Sequence, residues 1–145
     1  RLHQRILRRR YLPMHTPDAV VLMLGTNDCK TIFGASAEII GKGIARLLEQ
    51  INQYADKMKV LVISPIYLGE KVWQDGYDQE FSPESVEVSK KLEPVYEKVA
   101  GKYGKRFMRA ADYASPSEAD QEHMDGQSHK ILADAIYRKL EAEIL

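Results

Sequence analysis

The alternation of apolar and polar positions predicts a chain of alternating helices and strands. Two short apolar runs without alternation, at residues 19–24 and 60–64, predict strands that are covered on both faces. Residues 106–110 are predicted to form a third strand, which is short and more weakly indicated than the other two. Apolar residues at helical spacing predict four amphipathic helices, over residues 2–12, 36–51, 85–103 and 126–145. Residues 66–85 show neither period, so they are predicted to form a long loop.

Local signals refine three of the helices. Ser36 is a predicted N-cap, and Asp125 is a predicted N-cap that places His129 in the first turn of the last helix. Pro94 predicts either a kink in the third helix or a later start of it.

This order of elements predicts the fold class. Strands that alternate with helices are typical of an α/β domain with a parallel sheet and right-handed crossovers, and 145 residues favour one domain over residues 1–145. In such sheets chemistry collects at the carboxyl ends of the strands. The loops at 25–28, 64–67 and before the last helix are therefore expected to face one crevice.

Composition narrows the classes of function. Lys plus Arg equals Asp plus Glu, at 21 each, so no general attraction to nucleic acid is expected. No apolar run reaches the length of a membrane span, and no Cys, His and carboxylate cluster has the spacing of a metal site, so we predict neither a membrane nor a metal or other cofactor. The single Cys29 requires no oxidising compartment, which favours the cytoplasm.

Two short stretches contain candidate catalytic groups. Asp120 precedes His123 by three residues on a loop, so a tight turn can orient the imidazole and leave Nε2 free to accept a proton from a hydroxyl. Asn27 follows the first buried strand, where its amide can stabilise an oxyanion. The alternatives are an ordinary turn at residues 25–28 and a polar surface loop at 120–123.

Together these stretches resemble two blocks of the SGNH, or GDSL-type, hydrolases. Gly25-Thr-Asn-Asp28 is similar to their third block, and Asp120-Gln-Glu-His123 is similar to their fifth. The resemblance, which is to the arylesterase-like branch, implies a three-layer, flavodoxin-like parallel sheet and a serine esterase acting on small acetyl or aryl esters. It implies that His123 is the general base, Asp120 its orienting partner and Asn27 an oxyanion donor.

The sequence departs from this family in two blocks. The Gly-Asp-Ser-Leu block with the nucleophilic serine and the block with the oxyanion glycine are absent, so the chain resembles the carboxyl-terminal part of such an enzyme without its first strands. We expect the serine on a missing amino-terminal segment, and we expect this chain alone to be inactive. Either that segment or a second copy of the chain is expected to cover strand 19–24.

Other residues leave alternatives open. Phe33, Tyr67 and Trp73 are candidate substrate-binding residues, although loop aromatics equally often pack on the scaffold. Ser64 is the least implausible substitute nucleophile, since it ends a strand at the catalytic edge. The competing function is a catalytically incompetent α/β module that binds or oligomerises.

Overall fold

The computed structural model describes residues 17–145, and the helix predicted at residues 2–12 lies outside this part. Three parallel strands, β1 (Ala19–Leu22), β2 (Lys59–Ser64) and β3 (Arg106–Arg109), form a sheet in the order β1-β2-β3. Helix α1 (Ala37–Tyr54) joins β1 to β2, α2 (Pro83–Lys102) joins β2 to β3, and α3 (Gly126–Glu143) follows β3. The predicted α/β fold with a parallel sheet is confirmed.

The central strand β2 separates two hydrophobic clusters. Val60 and Val62 pack with residues of α1 and α2, whereas Leu61 and Ile63 pack with Leu132 of α3 on the other face. Successive side chains of a strand point to opposite faces, so β2 is buried on both sides. Helices therefore cover both faces of the sheet, as a three-layer arrangement requires.

Side chains at the helix N-termini explain where the helices begin. Ser36 Oγ accepts a hydrogen bond from the Ile39 N–H at the start of α1, and Asp125 Oδ1 accepts one from the Ser128 N–H at the start of α3, so both predicted N-caps are confirmed. None of the described helices is both long and apolar enough to cross a membrane.

Helix α2 begins two residues before the predicted position. Ser82 Oγ accepts from the Ser85 N–H while Ser85 Oγ accepts from the Ser82 N–H, and this capping box fixes the start at Pro83. The helix then continues through Pro94. A late start of the helix at Pro94 is therefore wrong, because the capping box starts it at Pro83, eleven residues earlier.

Strand β1 is less enclosed than predicted. It ends at Leu22, Val21 is 39% exposed and Met23 is 36% exposed, so the prediction of a strand covered on both faces is wrong. Two predicted core positions in the helices are also wrong, since Ile39 and Ile131 are 55% and 45% exposed. Apolar patterning shows what an element can bury, whereas burial depends on neighbours that are distant in sequence.

Candidate functional site

The turn that carries Asn27 follows β1 at the carboxyl edge of the sheet. Gly25 has a φ of +132°, a conformation that L-residues with a side chain rarely adopt. The Gly25 carbonyl accepts a hydrogen bond from the Asp28 N–H, and a short 3₁₀ helix follows at Asn27–Cys29. The side chain of Asn27 is therefore presented at the end of the strand, where it is exposed.

Tyr96 of α2 supports this turn from the hydrophobic core. Its buried hydroxyl donates a hydrogen bond to the Leu24 carbonyl at 2.8 Å. A Cβ at Gly25 would lie 2.2 Å from the same hydroxyl oxygen, so the turn packs against Tyr96 with no room for a side chain. Glycine is required here by both backbone conformation and space.

The second candidate element is the loop that carries Asp120 and His123. Asp120 Oδ1 accepts hydrogen bonds from the N–H groups of Glu122 and His123, at 3.0 and 2.9 Å. Asp120 Oδ2 lies 2.7 Å from His123 Nδ1. The three-residue spacing therefore forms a tight turn in which one carboxylate both closes the loop and contacts the imidazole, as the sequence predicts.

Protonation of this pair follows from its hydrogen bonds. Burial raises the pKa of the Asp120 carboxyl, but the two backbone N–H groups and the imidazole outweigh it and lower that pKa to about 2. The hydrogen bond to Asp120 raises the pKa of His123 above its ordinary value. An ionised carboxylate only accepts hydrogen bonds, so Nδ1 carries a proton and neutral His123 has its lone pair on Nε2.

One cavity brings Asn27 and His123 together. It has a volume of about 190 Å³ and is lined by Met23, Thr26, Asn27, Pro65, Ile66, Glu122, His123, Met124 and His129. Its walls come from the ends of β1 and β2 and from the histidine loop, which confirms that these loops face one crevice. Asp120 orients His123 at this cavity through the Nδ1 contact.

Sequence reasoning missed two residues that line this cavity. Glu122 has a carboxylate oxygen 4.0 Å from His123 Nδ1, and partial burial raises its pKa. His129 occupies the first turn of α3, as predicted, but was given no role in the site. Glu122 is adjacent to His123 in the sequence, and this could have placed it in the cavity. The N-cap at Asp125 puts His129 in the first turn of α3, and this could have placed His129 there.

The three aromatic candidates lie elsewhere. Phe33 is 62% exposed, the Trp73 Nε1–H donates to the Glu70 carbonyl, and the Tyr67 hydroxyl donates to Glu93. None of the three lines the cavity shared by Asn27 and His123. A larger cavity of about 300 Å³ beside the N-termini of α1 and α2 contains none of the candidate catalytic residues.

The described serines do not form a catalytic dyad with His123. None of their hydroxyls makes a hydrogen bond to the imidazole, and Ser117 Oγ instead donates to Asp120 at 3.3 Å. Ser64 is 1% exposed, so its hydroxyl is closed to a substrate. Burial therefore excludes Ser64 as a substitute nucleophile.

Metal binding has no support in residues 17–145. No group of three or more His, Cys, Asp or Glu side chains in this range is arranged to hold a metal ion.

Comparison with known proteins gives a family for this arrangement. The sequence profile of the GDSL-like Lipase/Acylhydrolase family matches residues 1–130. The chain belongs to this family. The resemblance inferred from Gly25-Thr-Asn-Asp28 and Asp120-Gln-Glu-His123 is thereby confirmed. None of the functionally curated proteins compared with the chain is similar enough to count as a match.

Solved structures of this family share the fold. Est24, a carbohydrate acetylesterase from Sinorhizobium meliloti, is 32% identical, with a TM-score of 0.80 over 91% of this chain and 66% of its own. A carbohydrate acetylesterase family member from the same organism is 26% identical, with a TM-score of 0.82 over 92% of this chain and 65% of its own.

A third match is to the fold alone. The aryl esterase of M. smegmatis is 23% identical, with a TM-score of 0.80 over 95% of this chain and 66% of its own. The GDSL-like chain therefore spans about two thirds of the length of these three structures.

Proposed function

We propose that this GDSL-like protein hydrolyses small carboxylic esters, with acetyl and aryl esters as the substrate class. The observation that carries the proposal is the placement of Asn27 and His123 in one cavity, with Asp120 Oδ2 2.7 Å from His123 Nδ1. A volume of about 190 Å³ suits a small acyl group. The names of the two acetylesterases support acetyl esters as substrates.

The mechanism assigns one step to each residue. A serine hydroxyl attacks the acyl carbon while His123 Nε2 accepts its proton, and the Asn27 amide donates a hydrogen bond to the oxyanion that forms. Collapse of that intermediate breaks the bond to the alcohol, which takes the proton from His123. Water then attacks the acyl-enzyme by the same route and releases the acid. Transfer of the acyl group to an alcohol is a variant of this last step.

The nucleophilic serine is proposed to lie on a segment outside this sequence. Residues 1–16 contain no serine, and the described serines make no hydrogen bond to His123. Without that segment, the chain is expected to lack serine esterase activity, because the remaining residues provide a base and an oxyanion donor but no attacking hydroxyl.

Turnover of 4-nitrophenyl acetate by the protein with that segment present tests the function. Asn27→Ala is expected to lower kcat roughly 10²- to 10³-fold, the usual loss for one oxyanion donor. His123→Ala is expected to lower it about 10²- to 10⁴-fold. Gln127→Ala, in the first turn of α3 and outside the cavity, is the matched control and keeps the wild-type rate. Absence of turnover with the serine segment in place would refute the proposal.

A binding role has one specific observation in its favour. In the described sheet β1 pairs with β2 alone, and the side chains of Val21 in β1 and of Met23 just after it are exposed. We propose that the free edge is covered by an amino-terminal segment of the same protein or by a second copy of the chain. A catalytically incompetent module that oligomerises through this edge is the second candidate function.

Intact mass and light scattering after size exclusion separate these occupants. A second polypeptide with the missing serine block supports the segment. A dimer that Val21→Lys dissociates supports the second copy, with Ile39→Lys as the control because Ile39 is an exposed apolar residue on α1. A lone monomer unaffected by Val21→Lys would contradict both.

A further inference from the structure

Gln121 adopts an unusual backbone conformation between Asp120 and His123. Its φ of +64° makes it the single non-glycine residue with a positive φ in residues 17–145. The left-handed region is unfavourable for a residue with a Cβ, and glutamine lacks the short side chain that lets Asn and Asp adopt it more readily. Gln121 is also 5% exposed. Surrounding contacts must therefore hold it in place.

Those contacts join Gln121 to the loop that follows β2, here called the bridging loop (residues 65–82). The Gln121 carbonyl accepts a hydrogen bond from the Gly69 N–H at 2.7 Å, and Gln121 Oε1 accepts one from the Lys71 N–H at 3.2 Å. Gln121 Nε2 donates to Glu118 Oε2 at 3.1 Å, within its own loop. Main chain and side chain of one residue thus attach two loops to each other.

The bridging loop is shaped to receive this side chain. A Cβ at Gly69 would lie 2.3 Å from Gln121 Oε1 and 2.8 Å from Gln121 Cβ. Even an alanine at position 69 would therefore displace the amide that Lys71 binds. Close packing of this kind transmits position from one loop to the other.

The other end of the bridging loop contacts the turn that carries Asn27. The Thr31 N–H donates to the Glu80 carbonyl at 2.8 Å, and Lys30 Nζ forms an ion pair with the Glu80 carboxylate. One loop is consequently bonded at one end to the histidine loop and at the other to residues just after Asn27.

We propose that Gln121 is a positioning residue that fixes His123 relative to Asn27 by attaching the histidine loop to the bridging loop. The Ser117 N–H donates to the His123 carbonyl and the Gln121 N–H donates to the Ser117 carbonyl, so a displacement of Gln121 is carried directly to His123. The catalytic meaning of this role rests on the proposed function, but the geometric role does not.

Two variants separate the side-chain contacts from the backbone conformation. Gln121→Gly and Gln121→Asn both accept a left-handed backbone, but neither side chain reaches the Lys71 N–H. The readouts are NMR-detected exchange of the His123 amide hydrogen and the NMR titration of the His123 imidazole in the folded protein. Gln79→Ala is the control, since it cuts a glutamine hydrogen bond to Asp75 that does not involve the histidine loop.

The proposal expects both variants to exchange the His123 amide hydrogen faster, roughly two- to tenfold, the equilibrium factor for one net hydrogen bond. The His123 titration midpoint is expected to move toward its ordinary value, because a mobile loop keeps the Asp120 contact less of the time. Gly69→Ala, which displaces the same amide from the other loop, is expected to act in the same direction. It also provides the test if either Gln121 variant fails to fold.

Wild-type exchange and titration in all three variants, as in Gln79→Ala, would overturn the proposal. These NMR readouts need no ester turnover, so they distinguish the two proposals. Altered His123 spectra in a protein with no esterase activity would leave the positioning role standing and remove the proposed function. If esters are hydrolysed, the variants are expected to lower kcat more than they change KM, since His123 acts in the chemical step.

Discussion

The hydroxyl of Tyr96 donates a hydrogen bond to the carbonyl of Leu24, 2.8 Å away. It thereby connects the middle of α2 to the segment between β1 and the Asn27 turn. The side chain of Tyr96 is fully buried. A residue distant in sequence from Asn27 thereby supports the proposed oxyanion site from the core.

Removing this hydroxyl is expected to destabilise the protein. Tyr96→Phe leaves the Leu24 carbonyl without its partner and should lower the free energy of unfolding by about 1–3 kcal/mol, measured by urea denaturation. Tyr103→Phe is the matched control, because it removes an exposed hydroxyl that donates to Glu49, and it should lower the free energy of unfolding much less than Tyr96→Phe does. Equal losses in the two variants would contradict a special role for the buried hydroxyl.

A second prediction concerns the contact between Gly25 and Tyr96. Gly25→Ala adds strain at a φ of +132° and a Cβ that clashes with the Tyr96 hydroxyl. In a Tyr96→Phe background the clash is partly relieved. The loss in free energy of unfolding caused by Gly25→Ala should therefore be smaller there, by about 1 kcal/mol or more. Gly76→Ala is the control because Gly76 has a φ of +90° but no atom within 4 Å of a Cβ.

The outcome of this double-mutant cycle is read from urea denaturation of the single and double variants. Gly76→Ala should lower the free energy of unfolding equally in the wild-type and Tyr96→Phe backgrounds, since a Cβ at position 76 contacts no neighbour. An additive cycle for Gly25 and Tyr96 would mean that backbone strain alone accounts for the requirement for glycine.

The parts of the site that follow from local chemistry were predictable from sequence. Asp120 and His123 are three residues apart, so their contact depends on a single turn. Asn27 lies in the turn that follows β1, and the parallel sheet places the ends of its strands together. The N-caps at Ser36 and Asp125 are local for the same reason.

What depends on distant contacts was not predictable. Val21 and Ile131 have the same apolar character as core residues, yet they are 39% and 45% exposed. The attachment of Gln121 to Gly69 and Lys71 joins two loops without periodicity, about fifty residues apart. A pattern within one segment contains no information on such a contact.

Burial of Cys29 gives a prediction about its reactivity. Burial, with a smaller effect of Asp28, raises the pKa of the Cys29 thiol to about 12, so very little thiolate is present at pH 8. A thiol-specific disulfide reagent should modify native Cys29 more than about 10³-fold more slowly than an exposed thiol. The comparison is Thr31→Cys in a Cys29→Ser background, because Thr31 is exposed two residues away. Both thiols should react rapidly in urea. Similar rates for the two thiols in the native state would contradict the predicted protection of Cys29.

The Asp120 to His123 contact predicts a dependence on pH. Asp120→Asn weakens the hydrogen bond that raises the pKa of His123 and also removes the carboxylate charge, so the imidazole midpoint should fall toward about 6.5. The neutral base exists above that midpoint, so the acidic limb of any esterase profile should move to lower pH while the maximal rate decreases. Long-range ¹H–¹⁵N spectra of the imidazole measure the midpoint directly.

The same pair predicts when it contributes to stability. Because its pKa is lowered, Asp120 contributes to the free energy of unfolding at pH values above its pKa in the unfolded state. This contribution is lost as the pH falls toward about 2. Because its pKa is raised, His123 contributes to the free energy of unfolding at pH values below its pKa in the unfolded state. This contribution is lost as the pH rises through the midpoint of His123 in the folded protein. Both groups are charged between these limits, so Asp120→Asn should reduce stability most in mildly acidic solution. Asp134→Asn, on the exposed face of α3, is the control and should leave the His123 midpoint unchanged. An unchanged His123 midpoint in Asp120→Asn would show that the contact does not govern the protonation of the base.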